Sequence, residues 1–333
     1  MAAFKVVITD FGSPDHQLEA DTLAASGLDI DLVRLDAHTP EQLIQHVADA
    51  DGLIVQWARI DRGLMQALRR CRVISRYGIG VDMVDLEAAT EHGIIVCNVP
   101  DYCIEEVSTH TLAFLLSLNR HLMVQHAHVV AGRWGSPPGG APARLPGQTL
   151  GIIGLGNIGR VVAAKAAALG LRVLAHDPYL SPERAASLGV DLRGLEDLLR
   201  ASDYVSLHCP LTAETRHLIG APQLAMMKPG AYLINMARGP IVDQAALVEA
   251  LRAGRIAGAA LDVLEQEPPA PHEALLQLPN VLFTPHTASW SAESFIQLRR
   301  ETAQNVVRVL SGQPPRSVVN PKVLAQARQG QGH

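Results

Sequence analysis

The stretch "GIIGLGNIGR", residues 151–160, decides which fold this chain can adopt. Gly154, Gly156 and Gly159 follow an apolar run at the spacing G-x-G-x-x-G, and the alanine-rich run "VVAAKAAALG" comes next. In a strand–turn–helix unit the first glycine permits a tight turn, the second lets the backbone approach a pyrophosphate, and the third allows close helix packing. The helix N-terminus supplies N–H donors and a positive dipole end. The stretch therefore predicts a parallel α/β sheet that binds a dinucleotide.

Asp177 discriminates between the two nicotinamide dinucleotides. It stands at the end of the next apolar run, in "RVLAHDP". A carboxylate at that place accepts hydrogen bonds from both ribose hydroxyls of NAD and repels the 2′-phosphate of NADP. No arginine follows immediately in "HDPYL", so the pattern favours NAD.

Short apolar runs recur on both sides of this motif. The first hundred residues contain "KVVITD", "DIDLVRL", "GLIVQW", "RVISRYG" and "GIIVCNVP", and the second half contains "TLGIIGLG", "RVLAHDP", "YVSLHCP", "AYLINMARG", "GAALDV" and "VLFTPHTA". Runs without polar alternation are typical of parallel strands covered on both faces. We also expect one long helix from Glu105 to about Gly132, an exposed proline-rich arm over 133–147, and a last helix over 292–310 with Ser291 as its N-cap.

Composition excludes several classes of partner. The 333 residues carry a net charge of −5 without a basic, aromatic-interleaved cluster, so no nucleic acid is expected. No apolar window of about 18 residues predicts a membrane span. Four cysteines without metal-type spacing favour a reducing, cytoplasmic compartment. His121, His126 and His128 share a predicted helix but not one face of it, so no metal site is expected. The expected partner is a small molecule.

Three polar residues stand where apolar runs end. Arg238 follows "AYLI" and precedes Gly239-Pro240, where a guanidinium can bind a carboxylate with two hydrogen bonds, or simply cap a loop. His286, in "VLFTPHTAS", is of the residue type that delivers or accepts the proton accompanying hydride transfer, although a lone histidine is ordinarily a buried structural one. Glu267, in "ALDVLEQEPP", can hydrogen bond to that imidazole and fix its tautomer, or be a solvated loop charge.

Six motifs occur in order: "RYGIGVDMVD", "GIIGLGNIGR", "HCPLT", "NMARGPIVD", "LDVLEQEP" and "TPHTAS". Together they resemble the D-isomer-specific 2-hydroxyacid dehydrogenases, and the similarity runs from about Lys5 to Pro321. The stretch "GIIVCNVPDYCIEEVSTHTLAFLL" is most similar to the branch that contains the C-terminal-binding corepressors and the phosphoglycerate dehydrogenases.

The resemblance implies an α/β chain with two Rossmann-like domains and catalysis in the cleft between them. Residues 1–100 plus 291–333 would form a flavodoxin-like substrate-binding domain, and residues 101–290 a doubly wound, parallel-sheet NAD-binding domain. The implied activity is a D-stereospecific, NAD-dependent hydride transfer between nicotinamide and C2 of a 2-hydroxy or 2-keto acid. The family commonly forms a homodimer, here through residues 101–145.

The resemblance also assigns residues. Arg238 would anchor the substrate carboxylate, Glu267 would pair with His286, and His286 would be the general acid in reduction and the base in oxidation. The implied cofactor-binding residues are Gly154, Gly156, Asn157, Ile158, Gly159, Asp177, His208, Pro210, Thr215, Ala237, Arg238, Asp262, His286 and Ala288. The implied substrate-binding residues are Arg76, Tyr77, Gly78, Ile79, Gly80, Arg238 and Trp290.

The substrate stays open at this stage. The corepressors carry a tryptophan three residues past the histidine, where this chain has Ser289, with Trp290 one place later. Arg76 would favour a second anionic or polar group on the substrate, as in a phosphohydroxy acid or hydroxypyruvate, or else be a structural ion pair. Trp57 and Tyr77 either form an apolar wall or pack the loop.

Three other functions remain as alternatives. An NAD(H)-sensing binding protein would retain the same three polar residues, although the long tails and basic patches of the corepressors are missing. Phosphite oxidation would reuse the same scaffold with hydride taken from phosphorus. Formate oxidation is disfavoured, because the related formate enzymes pair the histidine with glutamine, whereas this chain has Glu267.

Overall fold

The computed structural model describes residues 4–10, 15–35, 40–136, 140–325 and 327. The chain forms two compact units, of which the first combines Met1–Tyr102 with Ser291–His333 and the second is Cys103–Trp290. Both are α/β units, and every strand pair within them is parallel.

The first unit contains a five-stranded sheet. Its strands are β1 (Phe4–Ile8), β2 (Ile30–Arg34), β3 (Gly52–Val55), β4 (Val73–Arg76) and β5 (Ile95–Cys97). They lie in the order β2-β1-β3-β4-β5, which is the order of flavodoxin-like folds. All residues of β3, β4 and β5 are buried, as expected for strands covered on both faces.

Five helices cover this sheet: α1 (Gln17–Ala24), α2 (Pro40–Val47), α3 (Arg62–Ala67), α4 (Leu86–Glu91) and, from the C-terminal segment, α12 (Ala292–Leu310). The N-cap predicted for α12 is confirmed, because the Ser291 hydroxyl oxygen accepts the N–H of Ser294 at 2.9 Å. Helix α12 packs on the centre of the sheet, where Val306 lies against the glycine that opens β3. The C-terminal segment therefore completes the core of the first unit.

The second unit contains a seven-stranded sheet. Its strands are β6 (Thr149–Ile153), β7 (Arg172–His176), β8 (Asp191–Leu192), β9 (Tyr204–Leu207), β10 (Tyr232–Asn235), β11 (Gly258–Leu261) and β12 (Val281–Phe283). They lie in the order β12-β11-β10-β9-β6-β7-β8, a doubly wound arrangement whose direction of winding reverses beside β6. Such a reversal is where dinucleotides bind in open α/β sheets. Strand β8 has two residues and was missed, because so short an edge strand leaves no apolar run.

The helices of the second unit are α5 (Ile104–Asn119), α6 (Leu122–Val130), α7 (Asn157–Ala168), α8 (Pro182–Ser187), α9 (Leu195–Ala201), α10 (Ala221–Met226) and α11 (Gln244–Arg252). The prediction of one continuous helix over 105–132 is wrong. His121 adopts a left-handed conformation with φ of 52°, which separates α5 from α6. Residues 133–136 and 140–147 contain no helix or strand, and 137–139 of the proline-rich arm lie outside the described residues.

Across the described ranges, the helices are all too short or too polar to cross a bilayer.

Candidate active site

The G-x-G-x-x-G turn joins β6 to α7. Gly154 has φ of +91°, and a Cβ on it would lie 2.6 Å from the backbone nitrogen of Cys209. A Cβ on Gly159 would lie 2.2 Å from the carbonyl oxygen of Gly154. Both glycines are therefore required by the turn itself and by its packing on the neighbouring strand end.

Gly156 is different, because the turn does not require a glycine there. Its φ is −71°, and beyond its two chain neighbours no described protein atom lies within 4 Å of the place where a Cβ would stand. Gly156 is also the N-cap residue of α7, so the missing side chain leaves the helix N-terminus open to an approaching group. This is the fit expected for a pyrophosphate, which binds the N–H groups and dipole of a helix start.

Asp177 follows β7 and braces the same turn. One carboxylate oxygen accepts the N–H of Leu155, between the first two glycines, at 2.9 Å, and the other accepts the N–H of Tyr179 at 3.0 Å. These bonds hold the carboxylate beside the glycine turn. Each oxygen keeps a further lone pair that can accept a ribose hydroxyl.

His208 follows β9 on the other side of β6. Burial lowers the pKa of its imidazole to about 4, so the ring is neutral at physiological pH. Its Nε2 lies 2.8 Å from the hydroxyl of Ser206, whereas its buried Nδ1 has no hydrogen-bond partner among the described residues. A buried polar atom of this kind requires a partner, and a bound ligand can supply one.

The remaining predicted cofactor residues lie on the same strand-end loops. The carbonyl of Pro210 accepts the hydroxyl of Thr215 at 2.6 Å, which closes the loop after His208. Asn157 and Ile158 form the first turn of α7, and the side-chain oxygen of Asn157 accepts a hydrogen bond from Arg160.

Arg238 lies in a rigid turn after β10. The buried side chain of Asn235 holds this turn, because its oxygen accepts the N–H of Ala237 at 3.0 Å and its amide donates to the carbonyl of Arg238 at 2.9 Å. Asn235 was missed from the sequence, although a polar residue ending the apolar run "AYLIN" was a signal for it. The Arg238 guanidinium donates to the carbonyl of Ala237 at 2.8 Å.

Gly239 explains why the arginine precedes a glycine. A Cβ on Gly239 would lie 1.8 Å from the carbonyl oxygen of Leu264 and 2.4 Å from the nitrogen of Glu265. The turn that carries Arg238 thus packs directly on the backbone of the loop after β11. The N–H of Leu264 in turn donates to a carboxylate oxygen of Glu267 at 2.9 Å. Only glycine allows these two loops to approach so closely.

Glu267 and His286 form a hydrogen-bonded pair. The second carboxylate oxygen of Glu267 lies 2.6 Å from Nδ1 of His286. Burial by itself raises the pKa of Glu267, but the bond to His286, the bond from Leu264 and the charge of Arg238 outweigh it and leave the pKa lowered. Glu267 is therefore ionised at neutral pH. With its carboxylate at Nδ1, the tautomer and the orientation of the imidazole are both set.

Asp262 organises the loop that carries His286. Its buried carboxylate accepts the hydroxyl of Thr284 at 2.5 Å and the N–H groups of Thr287 and Ala288 at 2.9 and 3.1 Å. Its carbonyl accepts the N–H of His286 at 2.8 Å. His286 has φ of 55°, a left-handed conformation that is uncommon outside glycine and persists only where neighbouring contacts hold it.

Two further residues support this loop and were missed from the sequence. Since Thr284 donates its hydroxyl hydrogen to Asp262, its oxygen can accept from Nε2 of His110, which lies 3.1 Å away on α5. The nearest sequence signal was His110 in "STHTLAFLL", a run that predicts only a helix. Its local pattern does not indicate a hydrogen bond to Thr284, which lies 174 positions later.

The predicted substrate residues of the first unit form a loop after β4, here called the 76–80 loop. Arg76 is buried, and its guanidinium lies over the ring of Trp57 at 5.6 Å. Gly78 has φ of +134°, and a Cβ on it would meet the Arg76 guanidinium at 1.6 Å. The N–H groups of Ile79 and Gly80 donate to no acceptor in the described part of the chain.

The possibility that Tyr77 forms an apolar wall for a ligand is wrong. Its side chain is 1% exposed, and its hydroxyl donates to Glu19 at 2.9 Å inside the first unit. Tyr77 therefore packs the loop from within. Trp57 and Trp290 are the exposed aromatic residues of this set, with half and about two thirds of their surfaces accessible.

Comparisons with known proteins agree with this geometry. Residues 112–288 match the family described as "D-isomer specific 2-hydroxyacid dehydrogenase, NAD binding domain". The chain is 38% identical to a D-3-phosphoglycerate dehydrogenase of Archaeoglobus fulgidus over 95% of its own length, but it spans only 59% of that relative. It is 39% identical to a glyoxylate reductase of Korarchaeum cryptofilum, covering 85% of this chain and 86% of that one.

A solved structure extends the comparison to the whole fold. A D-lactate dehydrogenase from Aquifex aeolicus, complexed with NAD and lactic acid, superposes with a TM-score of 0.85 at 29% identity, covering 95% of this chain and 99% of that one. The predicted pair of Rossmann-like folds and the predicted relation to the phosphoglycerate dehydrogenase-like branch are confirmed. On the family match and these identities, the chain belongs to the D-isomer-specific 2-hydroxyacid dehydrogenase family, and its second unit carries that family's NAD-binding domain.

Proposed function

We propose that this chain is an NAD-dependent oxidoreductase that transfers a hydride between nicotinamide and C2 of a D-2-hydroxy or 2-keto acid. The observation that carries the proposal is the Glu267–His286 pair, which is held 2.6 Å apart on strand-end loops. The turn that bears Arg238 packs on the backbone of the loop that carries Glu267. Surface charges do not need such support, whereas groups that must meet a reacting centre do.

His286 is the proton donor in reduction and the acceptor in oxidation. With Nδ1 bonded to Glu267, the proton transfer runs through Nε2. The ionised Glu267 stabilises the imidazolium and keeps the ring in one orientation. Glu267 is thus a positioning residue for the histidine and does not itself exchange a proton with the substrate.

Arg238 binds the substrate carboxylate. Its backbone is locked by Asn235 and by the contact of Gly239 with Leu264, so the guanidinium starts from a fixed point. A planar guanidinium forms two parallel hydrogen bonds with a carboxylate and fixes its orientation. In that position it also polarises the adjacent carbonyl.

The nucleotide-binding residues support the choice of NAD. Gly156 leaves the start of α7 open for a pyrophosphate, Asp177 is placed to accept ribose hydroxyls, and the buried Nδ1 of His208 requires a polar partner. Pro210, Thr215, Ala237, Asp262 and Ala288 complete the proposed cofactor set. When bound, NAD supplies or accepts the hydride.

The first unit, taken as residues 1–100 plus 291–333, is proposed to bind the substrate, and residues 101–290 to bind NAD. The N–H groups of Ile79 and Gly80 support this assignment, because backbone donors at a strand end that have no acceptor among the described residues suit a carboxylate. Arg76 places a positive charge in the 76–80 loop, in addition to the charge of Arg238 on the second unit. Two positive charges favour a substrate with another polar or anionic group beside its carboxylate. Trp290 is proposed as a further substrate residue.

A homodimer and a cytoplasmic location complete the proposal. Helix α6 has no buried residue and, with the segment after it, exposes Leu122, Met123, Val124, Val129, Val130 and Trp134. An apolar surface of this kind suits a second copy of the same chain. Light scattering of the purified protein distinguishes a dimer from a monomer.

Four buried, free cysteines favour a reducing compartment.

The direct test is a substrate panel. Loss of NADH absorbance is followed with glyoxylate, hydroxypyruvate, pyruvate, phenylpyruvate, 2-ketoglutarate and phosphohydroxypyruvate, with NADPH in parallel, and NAD reduction is followed with phosphite and formate. We expect strong turnover of at least one 2-keto acid with NADH. Turnover of phosphite alone, or tight NADH binding without any turnover, would contradict the proposal and favour the phosphite or sensor alternative.

A further inference from the structure

A charged network is buried inside the first unit, and none of its residues carries the proposed proton or hydride chemistry. Glu19, on α1, is fully buried, and Arg299, on α12, is 7% exposed. The arginine binds both carboxylate oxygens, with Nε 2.8 Å from one and Nη2 2.6 Å from the other. Nη2 also donates to the carbonyl of Asp15 at 2.8 Å.

Tyr77 joins this network to the 76–80 loop. Its hydroxyl donates to the Glu19 oxygen that also accepts from Nε of Arg299. Burial, followed by the charge of Glu19, raises the pKa of Tyr77, so the phenol keeps its proton and remains a donor. The backbone N–H of Tyr77 donates to the carbonyl of Val55 at 2.9 Å. Tyr77 is thus fixed at its main chain by β3 and at its hydroxyl by Glu19 of α1, which Arg299 of α12 holds in turn.

An apolar core would stabilise this region at lower desolvation cost. Replacing a buried ion pair with well-packed apolar residues is often neutral or stabilising, whereas removing one partner of it is strongly destabilising. The network instead fixes positions. A bidentate carboxylate–guanidinium pair holds α1 and α12 in one relative arrangement, and the Tyr77 hydroxyl holds the 76–80 loop against that pair. The residues on either side of Tyr77 are Arg76 and Gly78.

We propose that the Tyr77–Glu19–Arg299 network is a positioning device that fixes the 76–80 loop in the conformation that presents the N–H groups of Ile79 and Gly80 to the substrate carboxylate. The three residues act through the loop and do not touch the substrate. The identity of the ligand as a substrate carboxylate rests on the proposed function. The ordering of the 76–80 loop by the network does not depend on that function.

Tyr77→Phe is the mildest test, since it removes one hydroxyl and keeps the ring. We expect KM for the preferred 2-keto acid to rise about 5- to 10-fold, as for a lost hydrogen bond to a charged group. The value of kcat should change by less than about twofold, and NADH affinity should not change, because neither depends on the loop. Hydrogen exchange of the amides in the 76–80 loop should become faster.

Tyr204→Phe is the matched control. Tyr204 is also a buried tyrosine, its hydroxyl accepts from the Asn119 side chain at 3.0 Å, and it lies in the second unit outside the proposed site. It should lose comparable stability while leaving KM and the exchange of the 76–80 loop unchanged.

The two readouts separate the network from the proposed function. Unchanged loop exchange in Tyr77→Phe overturns the positioning role, whatever the enzyme does. Equal changes of KM in Tyr77→Phe and Tyr204→Phe also overturn it, because a general loss of stability would then explain both. Faster loop exchange in Tyr77→Phe alone supports the ordering role even if every 2-keto acid proves inactive, in which case only the proposed function fails.

Discussion

Strand-end loops in both units of this molecule are braced by main-chain and side-chain contacts, and the 76–80 loop is bonded to a buried charged network in addition. In the second unit, the loops that carry Arg238, Glu267 and His286 are braced by main-chain contacts and by polar side chains at the strand ends, such as Asn235 and Asp262. In the first unit, the 76–80 loop has braces of the same kind, because the Asn98 amide donates to the carbonyl of Ile79 at 2.7 Å and the N–H of Val99 donates to the carbonyl of Gly78 at 3.0 Å. In addition, Tyr77 connects this loop to the buried network between two helices.

The difference follows from what each set is proposed to do. Groups that exchange a proton or orient a carbonyl must be placed to within fractions of an ångström, and backbone contacts tolerate the least displacement. A loop that offers N–H groups to a carboxylate has to keep one main-chain conformation, which a side-chain anchor can secure. Disturbing the first set should therefore lower kcat, and disturbing the second should raise KM.

Among the substitutions that test this comparison of loops, the largest effect is expected at Gly239. In Gly239→Ala the new Cβ would overlap the Leu264 carbonyl, so the turn bearing Arg238 and the loop bearing Glu267 must move apart. A displacement of about 1 Å is enough to lower kcat about 100-fold. Steady-state kinetics checks this, with Gly230→Ala as control, since no described atom lies within 4 Å of a Cβ there. A near-native kcat in Gly239→Ala would show that the two loops need not touch.

The matching substitution in the first unit is Gly78→Ala. Gly78 has φ of +134°, a conformation that alanine rarely adopts, and the new Cβ would displace the Arg76 guanidinium. We expect KM to rise about 10-fold, in line with about 1–2 kcal/mol of strain, and kcat to change less. If kcat falls as far as in Gly239→Ala, the contrast between the two sets of loops does not hold.

Much of the molecule follows from local patterns in the sequence. The glycine spacing at 154–159, the apolar strands and the Ser291 cap are short-range signals, because each depends on residues within one turn or one strand. The Glu267–His286 pair could be anticipated only as a possibility, since the strand order that brings β11 beside β12 is a property of the whole sheet.

Other features have no local signal. Glu19 and Arg299 lie 280 positions apart, and neither residue differs in its neighbourhood from a surface charge on an amphipathic helix. The left-handed conformation of His121 divides a continuous apolar pattern and leaves its periodicity intact. Asp262 was expected to line the cofactor, yet its fixing of the His286 loop is visible only in the structure, where the N–H groups of His286, Thr287 and Ala288 converge on its carbonyl and carboxylate.

A further prediction concerns the pH dependence of stability, which is independent of catalysis. The pKa of His208 is lowered from 6.5 to about 4 by burial, so the unfolded chain binds a proton there that the folded chain does not. Stability is therefore full above about pH 6.5 and is lost as pH falls toward 4, by on the order of 1–3 kcal/mol.

His208→Asn removes this titration and can retain a hydrogen bond to Ser206. Denaturant unfolding at several pH values should show a flatter profile for it than for the natural chain, whereas His126→Asn, at an exposed position on α6, should leave the profile unchanged. Identical profiles for the two variants would mean that the imidazole of His208 is protonated without penalty in the folded protein.

The central claim is that the Glu267–His286 pair performs the proton transfer, and one measurement tests it most directly. It is the turnover of His286→Ala with NADH and the best 2-keto acid, alongside NADH affinity measured by fluorescence. The account predicts that kcat falls about 100-fold or more while NADH still binds, as for removal of a general acid. Near-native turnover in this variant would contradict the account.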